Sequence, residues 1–245
     1  MTDSLTFIGR SLRHSVRSVD ALLTALFLPV GIMLMFVYVF GGAIQTDGRY
    51  VDYVVPGIIV LCAGFGSAGT AVAVALDMTS GVIDRFRTLP ISAGAVLTGH
   101  VTASVARNVV STLLVVGVAL ISGFRPTTLP LNWLAAAGLL LLLMTAISWI
   151  SAALGLLARN VEAANAVTFV AAFAPYVSSA FVPAESMPSG LRWIAEHQPV
   201  TPIVDTLRAL MLDLPVGNAW IAAVAWCAAG IVLGRAAAAY LFARR

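Results

Sequence analysis

Uncharged apolar stretches follow one another along almost the whole chain, separated by short segments where arginine, acidic residues and proline collect. A helix needs roughly 20 apolar residues to cross about 30 Å of hydrocarbon. Six stretches reach that length: 21–44, 54–76, 104–124, 133–157, 163–182 and 219–242. The period-two alternation of a membrane strand is missing, so the pattern predicts helices. The fold class that follows is an all-α integral membrane protein, six transmembrane helices in a single domain over 1–245. Arg107, near the start of the third stretch, and Arg235, near the end of the sixth, are expected to snorkel to an interface.

Three segments between the stretches have a pattern of their own. In 5–19, Leu5, Ile8, Leu12, Val16 and Val19 share one helical face, while Arg10, Arg13, His14 and Arg17 share another, which predicts an interfacial helix leading into the first span. The stretch 181–217 carries five prolines and mixes acids with Leu, Ile, Trp and Met. It predicts short re-entrant helices over 189–197 and 201–212 on the outer side, with Leu191, Trp193 and Ile194 buried against the spans. The third, SGVIDRFRTLPIS (80–92), is a charged knot between the second and third spans. Its Phe86 and Leu89 lie three apart on one helical face, and Pro90 sets an end.

Composition agrees with this picture. Of 245 residues 60% are hydrophobic and 10% charged, against about 25% charged in soluble domains. All 14 basic residues are arginine, and a phosphate loop needs its lysine, so the chain cannot hydrolyse ATP by one. Cys62 and Cys227 lie inside apolar stretches and read as small buried residues. No cleavable signal pattern precedes the first span, so the N-terminus is expected to be retained. With both termini cytoplasmic, the inner side holds Arg10, Arg13, Arg17, Arg85, Arg87, Arg159, Arg235, Arg244 and Arg245, and the outer side Arg49, Arg125, Arg192 and Arg208. That bias predicts both termini inside; the expected location is the cell's inner (plasma) membrane, with multiple passes.

Candidate chemistry is sparse. GFGSAG (64–69) matches the letters of a dinucleotide fingerprint, but a true one follows a strand and opens a helix; here it sits inside an apolar span. Its small residues continue as Ala63, Ser67, Ala71 and Ala75, and the last span has Gly230, Gly234 and Ala238, the spacing of close helix approach. Gly64, Ser67, Gly230 and Gly234 are therefore expected at helix contacts. His14, His100 and His197 form no spaced cluster with acids or cysteines, and polar groups are not expected to converge at membrane depth. Asp77 ends the second span, and no acid falls centrally in one, unlike most gradient-driven carriers.

Six spans, the basic N-terminal helix, DRFRTLPIS after the second span and FVPAESMPSGLRWIAEHQPVTP after the fifth together resemble a permease of the type-2 ABC exporters, most similar to their daunorubicin-resistance branch. The likeness runs over essentially the whole chain, although the family often has Asn-Pro where this chain has Gln198–Pro199. The resemblance implies a permease subunit, itself neither enzyme nor cofactor carrier, that exports amphipathic compounds such as a drug, a secondary metabolite or a lipid. It implies pairing with a second copy or a related permease. Each permease would dock a separate ATPase subunit, which carries the ATP and Mg. Membrane lipids and the amphipathic substrate complete the partners; nucleic acid is not among them. The family's coupling helix falls on Asp84, Arg85, Phe86, Arg87, Thr88 and Leu89, its outer gate on Pro183, Pro188, Leu191, Trp193 and Pro199, and substrate entry between spans one, two and five. A membrane-embedded lipid-modifying enzyme and a gradient-driven carrier are the alternatives.

The arginine bias generates a topology prediction. In a background lacking Cys62 and Cys227, single cysteines at Asp47 and Ser186 should react with an impermeant thiol reagent in intact cells, and one at Thr88 should not. Labelling of position 88 from outside overturns the orientation.

Overall fold

A computed structural model describes residues 19–44, 48–80, 93–127, 129–171 and 173–244. Helix α1 (Val19–Leu34) runs directly into a π-helical turn, Met35–Phe40. The long helices α2 (Tyr50–Thr79), α3 (Ala93–Ile121) and α4 (Pro130–Leu157) follow. Next come α5 (Val161–Ala171), 3₁₀ turns at Ala174–Val177 and Ala184–Ser186, α6 (Ser189–His197), α7 (Val200–Leu212) and α8 (Ala219–Arg244). No strand occurs among the described residues. Four of these helices, α2, α3, α4 and α8, are long and apolar enough to cross a membrane.

The bundle has two ends. At one, here the cap, the start of α2, the end of α3, the start of α4 and the helices α6 and α7 come together. Thr127 N donates to Met211 O at 2.7 Å, and Asn132 Nδ2 to Asp213 Oδ1 at 3.0 Å. At the other, the foot, Val74, Leu97, Val101, Trp149, Leu156 and Phe242 form a buried apolar cluster. The main core lies toward the cap around α2, whose Val54, Val55, Ile58, Ile59 and Leu61 are fully buried. Helix α8 turns Trp220, Ile221, Trp226, Val232 and Leu233 outward, an apolar face suited to acyl chains.

Lipid tails offer no hydrophobic drive between helices, so close backbone approach supplies much of the packing. A Cβ at Gly155 would meet Ala71 O, and one at Gly57 the backbone of Ala180, both under 3.0 Å. On α8, a Cβ at Gly234 would meet the Trp149–Ile150 backbone at 2.9–3.0 Å, and one at Gly230 the Ala146 Cβ at 3.2 Å. Gly64 differs from the expectation, since a Cβ there meets nothing within 4 Å. The half-turn between Gly64 and Gly66 explains it: Gly66 faces α3, where an added Cβ would collide with Asn108 Oδ1. The stripe Ala63, Ser67, Ala71 and Ala75 is buried throughout, with Ala164 of α5 packed on Ala71 and Ala75.

Two expected spans have different boundaries. The third begins at Ala93, so Arg107 lies roughly 21 Å along its helix rather than near its start. The continuous fifth helix over 163–182 is replaced by α5, which stops at Ala171, a 3₁₀ turn and a non-helical segment. Pro175, inside that turn, has no N–H for a helical ladder. The chain nevertheless passes from foot to cap here. Ala164 packs near Ala71, and Ala180 lies against Gly57, two points of α2 roughly 21 Å apart.

Close approach generates the prediction. Gly57→Ala and Gly155→Ala should each destabilise the protein by about 1–3 kcal/mol through overpacking against backbone. Gly64→Ala should be neutral, or stabilising by up to ~1 kcal/mol from helix propensity. Thermal unfolding of the three variants in detergent checks the contrast.

Candidate functional site

The break after α5 exposes backbone carbonyls, and each unsatisfied one is costly away from water. Side chains of α2, of α7, of the turn at 198 and of the segment itself take them up. Tyr50 OH donates to Phe181 O at 2.9 Å and Tyr53 OH to Ser179 O at 2.8 Å. Gln198 Nε2 donates to Val177 O at 2.6 Å, and Ser178 Oγ to Pro175 O at 2.6 Å. Thr201 Oγ1 donates to Ala195 O at 2.5 Å and accepts from Ser179 N at 3.4 Å. Aromatic rings close the other side: Tyr176 stacks on Phe181 at 5.1 Å, and Phe36 of the π turn lies 4.5 Å from Phe181.

Arg208 is the hub of this cap. Its guanidinium lies 3.8 Å above the Tyr53 ring, donates from Nη1 to Asp205 Oδ1 at 2.8 Å, from Nη2 to Ser179 O at 2.8 Å and from Nε to Tyr53 O at 3.2 Å. Its side chain is 12% exposed. A planar fork with donors on every edge can serve a carboxylate, two carbonyls and a ring face at once, which an ammonium cannot. Ser179 Oγ donates to the same Asp205 oxygen at 2.7 Å. Nearby, Arg49 grips Asp52 through two bonds of 2.9 and 3.0 Å, and Arg125 N donates to Asp52 at 3.2 Å. The two ion pairs, with Tyr53, Pro183, Glu185 and Glu196, line a cavity of about 630 Å³.

Of the outer-gate residues, Pro183 lines this cavity, while Pro188 and Pro199 stand at the N-caps of α6 and α7. Leu191, Trp193 and Ile194 are exposed, at 48%, 63% and 46%, against the expectation that they pack on the spans. Helix α6 instead seats Ala195 inward, and Trp193 stacks on His197 at 4.7 Å. The bonded Gln198 and the hub Arg208 carry geometry that the sequence reading did not assign. The spacing of Asp205 and Arg208, i and i+3 among the apolar Ile203, Val204, Leu207 and Met211, was the available signal.

Polar groups do converge at membrane depth, which corrects the sequence expectation. Asn108 Nδ2 donates to Ser67 Oγ at 2.9 Å, Ser148 Oγ to Ser104 Oγ at 2.9 Å, and Ser67 and Ser148 are 3.4 Å apart. This seam joins α2, α3 and α4, and Arg107 Nη2 reaches Gly66 O at 3.4 Å beside it. Single serines and one asparagine scattered over three helices give no motif in one dimension. The seam holds hydroxyls and an amide without a neighbouring base, so it suits helix association rather than bond-making.

A second correction lies at the foot, where His100 Nε2 is 3.0 Å from Asp77 Oδ2. Twenty-three residues separate the pair, so no local spacing announces it. Among the described residues no three His, Cys, Asp or Glu gather as metal ligands. Cys62 and Cys227 are buried and free. Asp84, Arg85, Phe86, Arg87, Thr88 and Leu89, and Arg10, Arg13, His14 and Arg17, lie outside the described residues.

Comparison with known proteins adds to this geometry. The family of ABC-2 type transporters matches residues 3–212. A daunorubicin resistance ABC transporter permease of Streptomyces coeruleorubidus is 30% identical over 218 residues, 84% of this chain and 76% of the relative. A chain of Mycobacterium tuberculosis named as a doxorubicin resistance ABC transporter permease is 25% identical over 233 residues, 93% and 83% of the two chains.

The cap generates a stability prediction. Arg208→Met removes one donor each from Asp205, Ser179 O and Tyr53 O and should cost about 1–3 kcal/mol, the lower part of the range reflecting the solvent exposure of Asp205. Tyr53→Phe should cost about 1 kcal/mol, and the double variant should exceed the sum, because either side chain alone still serves Ser179 O and only their joint loss orphans it. A double-mutant cycle by thermal unfolding checks it; strict additivity would remove the hub.

Proposed function

The chain belongs to the ABC-2 type transporter family, and from that we propose that it is the permease half of an exporter for amphipathic, drug-like compounds. It is a multi-pass membrane protein and a transport subunit rather than a catalyst. The observation that carries the finer reading is the match to drug-resistance permeases over more than four-fifths of the chain. ATP and Mg belong to a partner ATPase, and a second permease, identical or related, completes the pathway. In this reading the chain is one domain with six passes, the first formed by α1 with its π turn and the fifth by α5 with the broken segment behind it. The foot faces the cytoplasm of the cell, both termini are inside, and 5–19 lies in the inner interface. Residues 84–89 seat in the ATPase. The cap, with Pro183 and the cavity beside it, closes the exit.

A lipid-modifying enzyme would need a nucleophile or metal held beside a base, whereas the Ser67, Ser104 and Ser148 hydroxyls are bonded to one another and to the Asn108 amide. A gradient-driven carrier would place titratable groups near mid-depth, where this seam holds serines, an asparagine and an arginine.

Docking is the step to test. Phe86 supplies an apolar anchor and Arg85 and Arg87 the rim. Phe86→Ala should cost about 1–3 kcal/mol of ATPase capture by the tagged chain. Arg85→Glu and Arg87→Glu should weaken capture more at low salt than at high salt, because rim charges are screened. Undiminished capture in all three reduces the segment to a topogenic loop.

A further inference from the structure

Helix α2 leaves the bundle at Thr79 and α3 returns at Ala93. Any push on the segment between them enters the protein through these two arms. The arms meet at the foot mainly through Val74, Leu97 and Val101, with Trp149, Leu156 and Phe242 of α4 and α8 around them. Apolar contacts of this kind are non-directional, so by themselves they fix neither the rotation nor the register of one arm against the other. Farther up, the Asn108–Ser67 bond holds α3 on α2, and at the foot the His100–Asp77 bond supplies the direction that the apolar cluster lacks. A carboxylate can only accept, so the imidazole Nε2–H is the donor at 3.0 Å. Asp77 stands two residues from the end of α2, and His100 stands roughly 10 Å into α3.

Helix stability does not explain Asp77. A carboxylate in the last turn opposes the helix dipole, and the end of α2 is closed without its side chain. Thr79 Oγ1 donates to Ala75 O at 3.0 Å and Leu76 O at 3.1 Å, and Ser80 Oγ donates to Asp77 O at 3.4 Å. The side chain is free to face the other helix, and both partners are partly shielded, at 15% and 27% exposure.

We propose that His100 and Asp77 form a crossbar that makes the two arms of the docking segment move as one body when the ATPase acts on it. They are a positioning pair for energy coupling, and the proposal rests on the reading that 84–89 seats in the ATPase. Without the crossbar the arms splay below the Asn108–Ser67 bond, and displacement at the foot is absorbed there instead of reaching the seam and the cap.

The test uses the full complex with its ATPase, with spin labels on cysteines placed at Leu76 and Thr98, exposed positions on the two arms. In the otherwise wild-type complex the label distance should stay single and narrow in the nucleotide-free and ATP-trapped states. In His100→Ala and Asp77→Ala the distribution should at least double in width or shift with nucleotide, while ATPase capture stays within twofold of wild type. His100→Gln, which keeps a donor toward Asp77, should return the narrow distribution. Spreading already present without the substitutions, an unchanged distribution in both alanine variants, or lost capture in them each overturns the crossbar; lost capture would make the pair part of the docking surface. Phe86→Ala run in parallel separates the two readings. If Phe86→Ala loses capture and His100→Ala leaves the arms unchanged, the crossbar alone fails. If Phe86→Ala changes nothing, the docking reading fails and the crossbar with it.

Discussion

Backbone polar groups that leave a helix inside a membrane protein must find partners within the protein, because lipid offers none. Most of the cap follows from that one constraint. The chain stops being helical after Ala171, and the carbonyls released between Pro175 and Phe181 are met by Tyr50, Tyr53, Gln198, Ser178 and Arg208. The tyrosines come from the start of α2, the glutamine from the turn between α6 and α7, and the arginine from α7. The positions of those helices are thus tied to the break, and the cavity lies between the segment at 179–185 and the start of α2.

The two ends of the molecule are held by different forces. The cap depends on directional bonds converging on a few atoms, with Ser179 O and Asp205 Oδ1 each serving two donors. The foot is an apolar cluster with the His100–Asp77 bond beside it. Between them the serine–asparagine seam fixes α2, α3 and α4 laterally. Helix α2, buried along most of its length, runs the whole distance between the two ends and touches all three of these regions.

How much of this the sequence carried depended on the range of each interaction. Long apolar runs announce spans, and α4 and α8 begin and end within a few residues of the expected limits. Helix α6 falls on 189–197 as its pattern predicts, because an amphipathic repeat between prolines is local information. The break after α5 was hidden, since its residues are as apolar as those of a helix and only Pro175 marks it. Trp193 and Leu191 illustrate a different limit: the pattern locates an apolar face, but in a membrane protein such a face can turn toward lipid as readily as toward a core. The seam and the His100–Asp77 pair join residues from separate helices, and no one-dimensional spacing encodes such meetings.

The hub at Arg208 has a consequence for how the helices of the cap can part. One guanidinium bridges α7 to the carbonyls of Tyr53 and Ser179 and to the face of the Tyr53 ring. Because the fork is planar and rigid, none of these contacts can be exchanged without shifting the others. Moving α7 away from the start of α2 therefore breaks them together, and the junction holds or yields as a unit.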